Sequence, residues 1–262
     1  MAGNGVSSPL ASRYLKRGAF VAFLLGFLAL AAPAVVEPMT FWTGIVLGDY
    51  AYPTHELHHL VLASVFGLLL LGVIVQAIRP ARGVGALHSS ILVWGSLTVV
   101  FAGTGDFSPM HLVLLGLLVG ALLAHPAGRS QVPDAESVTP VLAAVCGVTA
   151  LGALLFAGVE LDAHRGSTDG HAALGHYQFM ATTGLSIAAL SAYGSLRGTG
   201  WRFPIYGSAA LLAVIGIASI AYPGAEQGSS LGVGLGAVVV GWAVMVVLIA
   251  ERGEALVRWG KR

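Results

Sequence analysis

The 262-residue chain has little charge and almost no cysteine. Only 10% of its residues are Asp, Glu, Lys or Arg, whereas a soluble globular domain carries about 25%. This scarcity excludes a water-soluble domain and excludes nucleic-acid binding through a basic face. The single cysteine, Cys146, excludes an intramolecular disulfide framework, a cysteine-rich zinc module and an iron–sulfur cluster.

Several chemical motifs are also absent. No lysine lies between Lys16 and Lys261, so a retinal Schiff base within a helix is excluded. The sequence has no glycine-rich phosphate loop ending in lysine and no Gly-x-Ser-x-Gly elbow. No acid or base lies deep within an apolar run, which disfavours ion-coupled transport. Any chemistry therefore has to come from residues near the ends of the apolar runs.

Long apolar runs dominate the chain, of which 56% is hydrophobic, with 36 glycines and a mean hydropathy of +0.83. A membrane-spanning helix needs about 20 mostly apolar residues. Eight stretches qualify: 18–36, 57–78, 86–103, 110–126, 138–159, 174–196, 204–222 and 228–250. The sequence thus predicts an all-α, polytopic membrane protein with eight transmembrane helices.

Basic residues set the predicted orientation. If the chain crosses eight times, twelve of its 13 Lys and Arg residues fall on one side, and only Arg165 falls on the other. Because basic loops stay in the cytoplasm, both termini are predicted to be cytoplasmic. The loops after spans 1, 3, 5 and 7 then face outward, as expected of a multi-pass protein of the cell membrane.

The eight spans group as four plus four. A shift of about 117 residues aligns the loop lengths of the two halves and places His59 on His176. Any eight-span chain can be cut in half, but the matching loops favour two parallel, pseudo-repeated four-helix bundles. The predicted units are 1–126 and 138–262, joined by a polar cytoplasmic linker at 127–137.

Histidine is concentrated at one predicted face of the membrane. Neutral imidazole is a common ligand of transition metals and of haem iron, and a shared face is what such a site requires. Seven of the nine histidines lie at the predicted outer face: His55, His58, His59, His111, His164, His171 and His176.

The densest motif is His55-Glu56-Leu57-His58-His59, where span 2 begins. On a helix, His58 and His59 follow His55 by three and four residues, so the three imidazoles share a face. Glu56 lies three residues before His59 and is placed to orient that imidazole. A histidine-rich interfacial cap is the alternative, but three histidines in five residues favour a site.

Two further histidines open later spans. His111 opens span 4 at the same predicted depth as His59, so we expect the two imidazoles to converge, with Met110 as a possible thioether ligand for copper. A lone interfacial histidine is the alternative for His111. His176 opens span 6, whereas His171, five residues earlier, has poor same-face spacing and is expected on the loop.

Together these residues resemble the heme A synthase family. Glu56-Leu57-His58-His59 and His111 match the Glu-x-x-His and the later histidine that this family carries within one four-helix unit. The resemblance implies two four-helix bundles, His59 and His111 as axial haem ligands, and Glu56 as a catalytic carboxylate. A cysteine pair in the first outer loop and a histidine opening span 8 are absent from this chain.

Other readings of the same residues stay open. His-x-x-His-His also resembles a box of the membrane fatty-acid hydroxylases and desaturases, which implies non-haem di-iron chemistry. A copper-handling factor would use His55, His59, Met110 and His111 as ligands.

Our leading hypothesis is a membrane redox or cofactor protein that holds haem b, or alternatively copper, at its outer face. His59, His111 and His176 are the candidate cofactor ligands, and the candidate metal ligands are His55, His58, His59, Met110 and His111. A quinone or an outer electron carrier would be the partner. A non-catalytic membrane subunit with interfacial histidines is the alternative of a different class.

Overall fold

The structure is a computed structural model that describes residues 9–52, 54–80, 83–126 and 138–259. Its helices are α1 (Pro9–Leu47), α2 (Glu56–Ile78), α3 (Val84–Thr104), α4 (Pro109–Leu123), α5 (Pro140–Gly166), α6 (Gly170–Ala173), α7 (His176–Ser195), α8 (Arg202–Ala221) and α9 (Gly232–Trp259). A short 3₁₀ turn, Ala225–Gln227, precedes α9. The described residues contain no strand, so this part of the chain is all-helical as predicted.

Within the described residues, six helices are long and apolar enough to cross a membrane: α1, α2, α3, α5, α8 and α9. The chain is therefore a helical, multi-pass membrane protein whose outward-facing apolar side chains contact lipid. Each of the other two predicted spans also overlaps a helix. However, α4 has only 15 residues, and α7 carries many Ser and Thr side chains. Eight crossings therefore remain a prediction, as does the placement of the termini.

Helix α1 is longer than predicted. Span 1 was expected to end at residue 36, but the helix continues through Pro33 and Pro38 to Leu47. A proline inside a helix removes one hydrogen bond and bends the helix, and here neither proline ends it. The helix ends instead at Leu47 and is followed by Gly48, whose φ of +82° is the left-handed conformation that favours glycine after a helix. The loop between α1 and α2 is correspondingly short.

The helices of both halves pack in the same order. In the first half, α2 and α4 each contact α1 and α3. In the second half, α7 and α9 each contact α5 and α8. The two groups meet where α2 and α3 pack against α7 and α8. A four-plus-four repeat would produce this pattern, although the repeat itself remains a prediction and the linker at 127–137 lies outside the described residues.

Helix α7 lies in the middle of the assembly, packed against α3, α5 and α8. Its polar residues Thr182, Thr183 and Ser186 are buried within the protein. Small side chains let it approach α5 closely, since a methyl group at Gly184 would lie 2.7 Å from the carbonyl oxygen of Ala153. Helix α7, which has a lower apolar content than the candidate spans, is thus shielded from lipid by its neighbours.

Helices α8 and α9 cross at a pair of glycines. A Cβ atom at Gly216 would lie 2.6 Å from the carbonyl oxygen of Gly236, and one at Gly236 would lie 2.7 Å from that of Gly216. Gly232 and Gly236 are four residues apart in the sequence, a spacing that allows a neighbouring helix to approach closely. Gly236 makes this close approach. Gly232 begins α9 with a φ of +70°, and a Cβ atom there would meet nothing within 4 Å.

We expect Gly236→Ala to destabilise the protein by about 1–3 kcal/mol, the usual cost of overpacking, because backbone atoms of α8 have to move. Gly234→Ala is the matched control, since a Cβ there meets nothing within 4 Å on the same helix. Thermal unfolding in detergent measures both. Equal melting temperatures for the two variants would contradict this packing.

Candidate metal centre

Five imidazoles from three segments meet at one end of the helices. These residues, here called the histidine cluster, are His55, His58, His59, His171 and His176. Ring centroids lie 4.6 Å apart for His55 and His171, 4.7 Å for His55 and His176, and 5.7 Å for His171 and His176. The motif at the start of α2 thus meets two histidines that lie more than 110 residues further along the chain.

Three members of the histidine cluster have the geometry of metal ligands. One ring nitrogen each of His55, His171 and His176 lies within 4.8 Å of the other two. The Nδ1 atoms of His55 and His176 are 3.0 Å apart. Two nitrogens bound tetrahedrally to one ion, at metal–nitrogen distances of about 2.0–2.1 Å, lie about 3.3 Å apart. The three rings therefore need only small shifts to bind a common ion.

Helix ends position these ligands. His55 immediately precedes α2, and His176 is the first residue of α7. His171 lies on α6, whose N-terminus is capped by Asp169 accepting a hydrogen bond from the Ala172 amide (2.8 Å). That amide lowers the pKa of the Asp169 carboxyl to about 2. All three imidazoles thus belong to residues at or beside the N-termini of helices, where the helix fixes the backbone.

A backbone hydrogen bond fixes the orientation of His171. Its Nε2 lies 3.0 Å from the carbonyl oxygen of Thr54, and because a carbonyl only accepts, Nε2 carries the proton. Nδ1 then retains its lone pair, which is the usual arrangement of a metal-bound histidine. Thr54 has a φ of +76°, a conformation that costs a β-branched residue about 1–3 kcal/mol. Strain of this kind is concentrated at functional sites.

His58 is held by a buried relay of hydrogen bonds. The Ser229 hydroxyl donates to Oε2 of Glu160 (2.7 Å), so Ser229 accepts from Nε2–H of His58 (2.8 Å). Nδ1 of His58 is buried and has no hydrogen-bond partner among the described residues. The His58 ring lies 4.8 Å from that of His171 and 5.0 Å from that of His176. His58 thus presents a free lone pair within the histidine cluster.

His59 and Glu56 lie at the edge of the cluster and do not pair with each other. His59 Nδ1 accepts from the Tyr50 hydroxyl, and burial raises the pKa of Tyr50, which keeps that donor protonated. Glu56 instead accepts from the Gln227 amide (2.8 Å). The predicted role of Glu56 in orienting His59 is therefore taken by a tyrosine.

His111 does not join the histidine cluster. Its Nδ1 accepts from the Ser108 amide (3.2 Å) and closes a capping box at the start of α4. Its ring lies 5.2 Å from that of Phe101 and 5.8 Å from that of Phe107. Helix α4 packs against α1 and α3. Among the described residues, the ring neighbours of His111 are Trp94, Phe101 and Phe107 rather than His59. Met110 is exposed beside His111.

The other three histidines each approach a different partner outside the cluster. His164 lies in the last turn of α5. The pairs are His164 with Asp106 (3.8 Å), His88 with Tyr193 (2.7 Å) and His125 with Gln76 (2.6 Å).

Sequence reasoning left His171 out of the candidate ligands. A spacing of five is poor on one continuous helix, but the chain forms two helical segments here, separated by Gly175 with a φ of +72°. The cap signal Asp169-Gly170 and the later Gly175 were available in the sequence to suggest this break. Glu160 and Ser229 were also missed, because only the folded chain places them beside His58.

No family model, curated protein or solved structure matches this chain. Its site is therefore interpreted from its own residues and their geometry.

We expect Ser229→Ala to destabilise the protein by about 1–3 kcal/mol, because it leaves Nε2 of His58 and Oε2 of Glu160 buried without a partner. Ser195→Ala is the control, since that hydroxyl bonds only a local carbonyl at the exposed end of α7. Thermal unfolding of both variants measures the effect. A Ser229→Ala protein as stable as the control would argue against the relay.

Proposed function

We propose that this protein is a membrane metalloprotein that binds one transition-metal ion through His55, His171 and His176. The observation that supports it is the approach of three imidazole nitrogens to within 4.8 Å of one another. Two of these rings are additionally oriented by the chain, His171 through Thr54 and His176 through Gly175. An interfacial cap of solvated histidines does not require such mutual contacts.

The donor set favours copper. All three candidate ligands are imidazoles, which suit copper, zinc, nickel and iron, and copper(II) binds nitrogen sites most tightly in the first-row series. Burial, together with the neighbouring His171, lowers the pKa of His55, so this ring is neutral and able to bind metal at neutral pH. A bound copper ion would supply one-electron redox chemistry.

Haem fits these residues less well. The resemblance to the heme A synthase family implies a haem between His59 and His111, but His59 contacts Tyr50 and His176, whereas His111 contacts Phe101 and Phe107. Within the histidine cluster, imidazoles contact one another at 4.6–6.0 Å between centroids. A porphyrin ring between two axial ligands has no space there, so the geometry supports a bare ion.

The position of the cluster supports a role at the membrane surface. His55 and His176 lie at the ends of α2 and α7, and the distribution of arginines predicts that this end faces away from the cytoplasm. A copper ion there would be accessible to an electron carrier outside the membrane or to a lipid-soluble one such as a quinone. We therefore propose a copper-binding redox protein of the cell membrane.

Metal binding can be tested on the purified full chain. We expect about one copper per chain by elemental analysis, and nitrogen hyperfine coupling in the electron paramagnetic resonance spectrum of the copper(II) form. His55→Ala, His171→Ala and His176→Ala should each weaken copper binding at least tenfold, because each removes one of three ligands. Titration with copper against a competing chelator measures the affinity.

His111→Ala is the matched control, because its imidazole also opens a helix but lies outside the histidine cluster. Unchanged copper affinity in this variant is expected. A metal-free protein whose copper affinity is the same in all four variants would refute the proposal. A Soret band that disappears in His111→Ala would establish the haem hypothesis instead.

A further inference from the structure

An apolar cavity of about 690 Å³ lies between α5, α8 and α9. Its volume is within the range of small-molecule sites, about 300–1,000 Å³. Side chains at its edge, such as Leu155 of α5 and Val238 of α9, are exposed on helices that are candidate membrane spans. The cavity therefore opens sideways towards lipid, and a ligand would enter it from the bilayer.

The cavity has one polar end. Along α5 it extends from Val148 to Glu160, which is about 18 Å of helix. Glu160 is only 4% exposed and lines the cavity together with Ser229. Oε2 of Glu160 accepts from Ser229, whereas Oε1 has no hydrogen-bond partner among the described residues. A carboxyl group that lines an apolar cavity with one oxygen unpaired is poorly solvated, so a ligand that supplies a partner is favoured.

We propose that this cavity binds a long-chain lipid with a neutral hydroxyl head, whose hydroxyl group hydrogen-bonds to Oε1 of Glu160. A hydroxyl can donate to a carboxylate and can accept from a carboxylic acid, so it suits either state of Glu160. An anionic head, such as a carboxylate or phosphate, would be repelled by an ionised Glu160. The apolar walls accommodate the chain.

The same residues connect the cavity to the histidine cluster. Glu160 binds Ser229 through its other oxygen, and Ser229 binds His58, so the lipid head lies three hydrogen bonds from His58. The proximity of the two sites gives the copper centre a lipid-soluble partner and in that respect rests on the proposed function. Lipid binding itself does not require a metal, so the two proposals fail separately.

Trp242 offers a direct readout because it lines the cavity and is fixed by a hydrogen bond to Thr149 (2.9 Å). A long-chain alcohol brominated along its chain should quench the tryptophan fluorescence of the purified full chain with saturation. Trp242→Phe should remove most of the saturable quenching. Titrations with and without a metal chelator should give the same affinity for the alcohol.

Gly152→Leu tests the cavity directly, since Gly152 lines it and has nothing within 4 Å of its Cβ position. We expect this variant to weaken alcohol binding at least tenfold. Gly147→Leu is the matched control on the same helix, because it also has open space but lies outside the cavity. Glu160→Leu should weaken binding similarly, and Glu160→Gln, which keeps a hydrogen-bonding oxygen, should restore it.

Two comparison ligands identify the chemistry. A carboxylate of the same chain length should bind at least tenfold more weakly than the alcohol. A prenylated hydroquinone that displaces the alcohol would identify a quinol as the occupant, and failure to displace it would identify an aliphatic alcohol. Equal quenching in Gly152→Leu and Gly147→Leu, or tighter binding of the carboxylate, would overturn the proposal.

Discussion

The hydrogen bond from His171 to the carbonyl oxygen of Thr54 joins the two segments on which the candidate site depends. One segment leads into α2 in the first half of the chain, and the other is the short helix α6 before α7. This bond adds to the contact between the Nδ1 atoms of His55 and His176, so both later histidines are tied to the segment before α2. The strained backbone at Thr54 turns the carbonyl towards His171, and folding energy released elsewhere offsets this strain. Imidazoles more than 110 residues apart in sequence are thereby held at metal-binding distance.

Sequence reasoning located the helices and the histidine-rich end well, because apolar runs and basic loops are local signals. It named His55 and His176 among its candidate ligands but paired His59 with His111, since equal depth in the membrane does not say which helices are neighbours. That information lies in the packing order, where α4 contacts α1 and α3. It also excluded His171 by assuming one helix through Gly175. In each case the missing information was the packing of the helices or the local backbone conformation. Hydrophobic periodicity reports neither of them.

Buried polar groups explain why α7 differs from the other helices. Helix α7 has a low apolar content and is covered by α3, α5 and α8, so it is not among the six apolar candidate spans although 174–196 was a predicted span. Its Gly184 allows close packing against α5, which also carries Glu160. The tight contact between α5 and α7 contrasts with the looser one between α5 and α9, where the apolar cavity lies. Helix α5 thus packs tightly against α7 on one side and lines a cavity that is open to lipid on the other side.

Ser229 connects the two proposed sites through a single hydroxyl group. Because this hydroxyl has one proton, its donation to Glu160 fixes the direction of the whole relay, and His58 must then donate to it through Nε2. If a lipid hydroxyl donated to Glu160 as well, the carboxylate would have two donors and its charge would be better satisfied. The two hydroxyl groups would then share one carboxylate, so Ser229 would donate to Glu160 less strongly and accept less strongly from His58. His58 is not among the three proposed metal ligands, so occupation of the cavity would change this relay without changing the ligand set.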